Sequence, residues 1–123
     1  MKYLGIDYGE KKVGLALADE ELEIATPFKT ITAETTTEKI EQISSIIENQ
    51  DITQIVIGLP LSTQGEETSK SKEVRGFTNQ LKKEVEADFE FVDERFSSQE
   101  ADSLEGDASR DEKSAMLILD TYL

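Results

Sequence analysis

The period of the apolar residues first changes at Thr35, and the strands before that point and the alternation after it fix the class of fold open to this chain. Ahead of Thr35, residues 2 to 8 (KYLGIDY) and 13 to 18 (VGLALA) are short apolar segments joined by Gly9-Glu10-Lys11-Lys12, a connection of hairpin length. A third extended stretch, Ile24 to Ile31, carries Pro27 in its middle. These segments predict three short antiparallel strands. From Thr35 the spacing turns helical: Ile40, Ile43, Ile46 and Ile47 share one face, with Glu38, Lys39, Glu41 and Glu48 elsewhere around it.

Strands and helices then alternate. Ile55-Val56-Ile57 is a continuous β-branched run ending at Gly58-Leu59-Pro60, the pattern of a central strand covered on both faces. A polar stretch opened by Gly65 leads to a long helix with Val74, Phe77, Leu81 and Val85 on one face, and Phe89 to Val92 read as a further strand ending at Asp93-Glu94-Arg95. Ser97-Ser98-Gln99-Glu100 predicts the start of a short helix that stops at Glu105-Gly106-Asp107, and the last helix carries Ala115, Ile118, Leu119 and Tyr122 on one side. The order βββ-α-β-α-β-α-α predicts an α/β fold: a mixed five-stranded sheet, three antiparallel strands then two parallel, with helices on both faces. With no internal repeat and no linker rich in Pro and Gly, residues 1–123 are expected to form a single domain.

Composition narrows the chemistry. The chain has neither Cys nor His, which excludes a disulfide scaffold, a Cys- or His-ligated zinc site, a Cys nucleophile and every His-based triad. Catalysis must then rest on carboxylates, hydroxyls, Lys or Arg, and hard metals. The N-terminus reaches Asp7 without the apolar core of a signal peptide, and no apolar run is long enough to span a bilayer, so a cytoplasmic protein with no membrane partner is expected. The net charge of −14 works against generic affinity for polyanions, which depends on Lys and Arg neutralising phosphates.

Three carboxylates stand out. Asp7 interrupts an apolar first strand, Glu94 closes the fifth strand, and Asp111 falls in the first turn of the last helix beside Ser109 and Glu112, an S-x-x-E capping box. Each has an ordinary alternative: a strand-end residue reaching solvent, a surface ion pair with Arg95, and a carboxylate favoured by the helix dipole. Two on different strands and one at a helix start can converge in a mixed α/β fold, and three converging anions call for a divalent cation among them. Mg2+ or Mn2+ takes such carboxylates, and metals so held activate water in phosphodiester cleavage. Asp93 and Asp19 are candidate auxiliary members. Gly5, Gly9 and Gly14 flank Asp7 and allow either a ligand near the backbone or a close packing contact.

Residues 5–19 (GIDYGEKKVGLALAD), 55–68 (IVIGLPLSTQGEET), 92–101 (VDERFSSQEA) and 111–123 (DEKSAMLILDTYL) resemble, in order and spacing, the YqgF or RuvX-like family, whose members are described as Holliday junction resolvases or pre-ribosomal-RNA nucleases. The resemblance implies a ribonuclease H-like fold and a metal-dependent endonuclease with Asp7, Glu94 and Asp111 as its catalytic, Mg2+- or Mn2+-holding cluster. It further implies a nucleic-acid partner, with 5′-end maturation of pre-16S ribosomal RNA as the task and a precursor ribosomal particle as the setting. A phosphate-facing surface would then draw on Lys11, Lys12, Lys70, Lys72, Arg75 and Arg95. Between Glu94 and Asp111 the chain departs from longer members, being short and mostly acidic, with Glu100, Asp102, Glu105 and Asp107 against Arg110.

Other readings are a branched-DNA nuclease, which needs a symmetric dimer where an RNA trimmer can be a monomer, and a non-catalytic module engaging basic ribosomal or transcription proteins through its acidity. The actin and sugar-kinase class, whose first hairpin shows a similar Asp-x-Gly and Lys, duplicates the domain. A monomeric RNA-processing nuclease is the expectation carried forward.

Overall fold

The opening hairpin forms where the apolar alternation places it. The computed structural model describes residues 2–19, 21, 24–62, 64–93 and 110–123. In it β1 (Lys2–Asp7) pairs antiparallel with β2 (Lys12–Asp19), from Lys2 opposite Asp19 to Asp7 opposite Gly14. β3 (Ala25–Thr32) extends the meander along the other side of β2, with a register slip between Leu15 and Ala16, which face Lys29 and Pro27. Pro27 fits because β3 is an outer strand and a bulge absorbs the missing N–H.

The chain then leaves the sheet through α1 (Thr36–Asn49), whose start is set by Thr35: its Oγ1 accepts the Glu38 N–H at 3.1 Å. β4 (Ile52–Leu59) returns parallel to β1, α2 (Ser69–Lys82) follows, and β5 (Asp88–Asp93) lies parallel to β4. The five-stranded sheet therefore runs β3-β2-β1-β4-β5. Its antiparallel and parallel halves meet at β1.

The two faces of the sheet are built from different side chains. On one, Leu4, Ile6, Val13, Leu15, Ile55 and Ile57 pack against Ile40, Ile43 and Ile47 of α1 and Val74, Phe77 and Leu81 of α2. Fully burying each such side chain contributes about 1.5–3 kcal/mol relative to exposure, so this face carries most of the apolar stabilisation. The other face presents Ala16, Ala18, Ala25 and Val56 to Ala115, Ile118 and Leu119 of α3 (Arg110–Tyr122). Small residues there let the helix come down close to the strands. At Gly5 a Cβ would stand 2.6 Å from Leu119 Cγ and 2.8 Å from the Ala115 carbonyl oxygen. Tyr3 and Tyr122 close this layer edge to face, with ring centroids 5.9 Å apart.

Two details differ from the sequence reading. α2 ends at Lys82, where the Lys83 N–H turns to the Gln80 carbonyl at 3.2 Å, so Val85 packs against the core from the following loop rather than from the helix. Lys39, read as part of the polar surface of α1, is only 3% exposed. It precedes Ile43 by four positions and Ile46 by seven, which puts it on the apolar stripe. The short helix expected from Ser97 lies outside the described residues. Among the described residues no helix is long and apolar enough to cross a membrane.

The contact at Gly5 makes a prediction. Gly5→Ala is expected to destabilise the protein by about 1–3 kcal/mol through overpacking against α3, read as a fall in Tm; an unchanged Tm would show that α3 can lift without cost.

Candidate active site

Asp7 is the last residue of β1 and is half-buried. It alternates with Tyr3 and Gly5, both in contact with α3, so its carboxylate belongs to the α3 face of the sheet. Its partner across the hairpin is Gly14. A Cβ on Gly14 would run into the backbone carbonyl of Asp111 and stand 2.8 Å from the Asp111 Cβ. Since opposed residues of antiparallel strands hold their Cβ atoms about 4.5–5.5 Å apart, the Asp111 Cβ falls within about 8 Å of that of Asp7. Two acidic residues far apart in sequence are thus brought to one corner by the bare backbone of Gly14.

The first turn of α3 is held there from its other side. Asp111 and Glu112 occupy that turn, where the helix N-terminus favours negative charge. Glu112 accepts the Thr30 hydroxyl at 2.9 Å and so fastens the turn to β3. The oxygen-only donor set suits hard divalent cations such as Mg2+ and Mn2+, which take carboxylates and waters. Among the described residues no three acidic side chains lie close enough together to hold an ion. Glu94 and Arg95 lie outside the described residues.

The other acidic candidates separate. Asp19 is opposite Lys2, at the far end of the strand from Asp7, about 17 Å away at 3.3–3.4 Å per residue. Asp93 shares the edge at which β1, β4 and β5 all end, because those strands are parallel. Its pleat position, however, is that of Phe89 and Phe91, which pack on the α1 and α2 side. Neither residue joins Asp7 and Asp111 on the α3 face.

The described cationic candidates lie toward the same edge but on different sides of the sheet, since α2 packs on the face opposite α3. Lys11 and Lys12 are exposed at the β1–β2 turn, just beyond Asp7. Lys70, Lys72 and Arg75 are exposed on the first half of α2. The start of that helix is fixed by a capping box between Thr68 and Ser71, and the Thr68 hydroxyl donates to the carbonyl of Pro60, just past the end of β4, at 3.0 Å. Arg75 is already engaged: its Nε and Nη2 donate to Glu67 at 2.9 and 3.2 Å, and its guanidinium stacks 5.0 Å from the Phe91 ring centroid. The Arg75 hydrogen bonds hold Glu67 below the usual carboxylate range, and Glu67 in turn raises Arg75. The pair's contribution is therefore present above the ordinary glutamate pKa of about 4.3 and is lost as pH falls through the lowered value.

This architecture is that of the ribonuclease H-like proteins. The chain superposes on RuvC of Thermus thermophilus, solved with a Holliday junction substrate, with a TM-score of 0.62 over 98% of this chain and 91% of that one at 13% identity. On the large terminase nuclease of the thermophilic phage G20c the TM-score is 0.54 over 98% of this chain and 55% of that one at 10% identity. At such identities the likeness establishes the fold. The sequence goes further: the family model described as RuvX, Holliday junction resolvase, matches residues 1–123. A Maridesulfovibrio salexigens protein is 38% identical across 100% of this chain and 98% of its own length, and one from Dictyoglomus turgidum is 33% identical across 100% and 94%. Both are provisionally named pre-16S rRNA nucleases. The chain belongs to the RuvX family.

Because the obstacle at Gly14 is backbone, whereas at Gly5 it includes a side chain that can rotate, Gly14→Ala is expected to lower Tm more than Gly5→Ala does. Equal melting temperatures for the two variants would contradict the contact.

Proposed function

We propose that this chain is a divalent-cation-dependent endonuclease that acts in the cytoplasm in 5′-end maturation of pre-16S ribosomal RNA, with Asp7, Glu94 and Asp111 as its catalytic carboxylates in a single domain. The observation that carries the reading is the seating of Asp111 on Gly14, across the hairpin from Asp7. Membership of the RuvX family and the names of its relatives support it. Glu94 follows Asp93 in the chain, at the end of the parallel strand that finishes along the same edge as Asp7.

Mg2+ or Mn2+ held by these carboxylates would polarise the scissile phosphodiester and assist attack by water. The chain supplies the rest. Asp7 and Asp111 sit on a strand and a helix rather than on free loops, which fixes where the anionic oxygens point. Lys12 and Arg95 are the groups assigned to offset charge on the phosphoryl oxygens, and Lys11, Lys70, Lys72 and Arg75 to hold flanking phosphates. As the chain contains no histidine, the proton leaving the attacking water passes to a carboxylate or to a phosphate oxygen of the substrate.

The charge of −14 is compatible with this reading because of where some of it lies. Glu48, Asp51, Glu84 and Glu86 surround a cavity of about 420 Å3 where β4 and β5 begin, the opposite edge from Asp7. With few cations at the working edge, binding of naked RNA is expected to be weak and to fall steeply as salt rises. Tight binding at high salt would contradict this.

The decisive assay is cleavage of RNA carrying the pre-16S 5′ region with Mn2+ or Mg2+. Cuts made by the wild type and lost in a folded Asp7→Asn variant are expected, whereas a wild-type rate in Asp7→Asn would sink the assignment. A branched-DNA substrate belongs in the same assay, since the family is described by Holliday junction resolution. Cleavage of the junction alone, by a dimer, would favour that reading.

A further inference from the structure

Lys39 is the only buried charged residue among the described residues. No carboxylate among them forms an ion pair with it. Its amine donates instead to the Tyr8 hydroxyl at 3.3 Å and to the backbone carbonyl of Glu10, and lies 4.6 Å from the Tyr8 ring centroid. Burying an ammonium group without an ion pair is unfavourable, and a Met or Leu on the same stripe of α1 would fill the space without that cost. Glu10, Glu34 and Glu73 line a cavity of about 320 Å3 beside it, so its charge is offset at a distance rather than by contact.

What the lysine holds is specific. Tyr8 follows Asp7 directly, and Glu10 lies in the turn between Asp7 and its cross-strand partner Gly14. The Tyr8 ring packs on Phe77 of α2 with centroids 4.6 Å apart, so the anchor is continuous with the large core. The far limb of the turn is fixed by the Ala33 N–H donating to the Lys11 carbonyl at 3.0 Å. Asp7 is therefore bounded from the α3 side by Asp111 and from the opposite side by a turn that Lys39 ties down.

We propose that Lys39 is a positioning residue for Asp7: by holding Tyr8 and the Glu10 carbonyl from beneath the sheet, it sets the β1–β2 turn so that the Asp7 carboxylate keeps its place beside Asp111. This inference rests on the reading of Asp7 as a catalytic carboxylate. Lys39 touches no reacting group.

The test compares wild type, Lys39→Met and Tyr8→Phe, with Lys82→Met, an exposed lysine over the Phe89 ring, as the control. Amide hydrogen exchange at residues 12–14, Tm, Mn2+ binding and RNA cleavage are measured on each. In Lys39→Met the amides at the closed end of the hairpin are expected to exchange about tenfold faster or more, at a Tm no lower than wild type. Mn2+ is expected to bind more weakly, and kcat to fall about tenfold or more with KM held. Tyr8→Phe is expected to show the same pattern in weaker form and Lys82→Met to show none of it. Unchanged protection of the hairpin end would overturn the proposal. So would a loss of protection matched by a fall in Tm, which marks a merely structural residue. If Lys39→Met does not fold, Tyr8→Phe decides by the same criteria. A wild type that neither binds Mn2+ nor cuts RNA defeats the nuclease reading, while the exchange data still decide whether Lys39 fixes the turn.

Discussion

The corner that holds Asp7 depends on how closely α3 can lie on the sheet. Gly5 and Gly14 leave bare backbone beneath the helix, and Ala16, Ala18 and Ala25 add one methyl each. A larger side chain at Gly14 would lift the first turn of α3 and carry Asp111 away from Asp7. That closeness has a thermodynamic consequence. At about 0.8 kcal/mol per buried methylene, a face of glycine and alanine contributes far less than one of leucine and isoleucine. The large face under α1 and α2 supplies the stability, which leaves the small face free to supply position.

The same division explains the treatment of the hairpin. Its inner side chains, Leu4, Ile6, Val13 and Leu15, are fully buried in the large core, so β1 and β2 are held by packing up to Asp7. Past Tyr8, whose ring still packs on Phe77, the turn carries Gly9, Glu10 and Lys11, with little to bury. Polar ties from Lys39 and Ala33 take over where apolar packing stops. A carboxylate at the boundary between packed strand and polar turn can be both accessible and fixed.

The five strands, the mixed sheet and the three described helices are legible in the sequence because each has a periodicity of its own, and Asp7 stands out as a candidate because a charge inside an apolar strand needs a reason. Gly5 and Gly14 were noticed, but a sequence cannot tell a glycine that admits a ligand from one that admits a helix. Asp19 is close to Asp7 in sequence, but antiparallel pairing carries the end of β2 away from it. Asp93 ends on the right edge, but its pleat position is that of Phe89 and Phe91, since successive residues of a strand face opposite ways. Lys39 is a charge among the polar positions of α1, yet its spacing from Ile43 and Ile46 marks the buried stripe. Val85 continues the helical spacing of Val74, Phe77 and Leu81, but the helix stops short of it at Lys82.

The central proposal is that Asp7 and Asp111, more than a hundred residues apart in the chain, serve one cation site, and what supports it is that Asp111 packs on the bare backbone of Gly14, across the hairpin from Asp7. The most direct measurement is Mn2+ binding, followed by electron paramagnetic resonance, in wild type, Asp7→Asn, Asp111→Asn and the double variant. The account predicts that each single substitution weakens the same site and that the double variant loses little more than either alone. Independent, additive losses, or a single variant that binds Mn2+ as the wild type does, would contradict it.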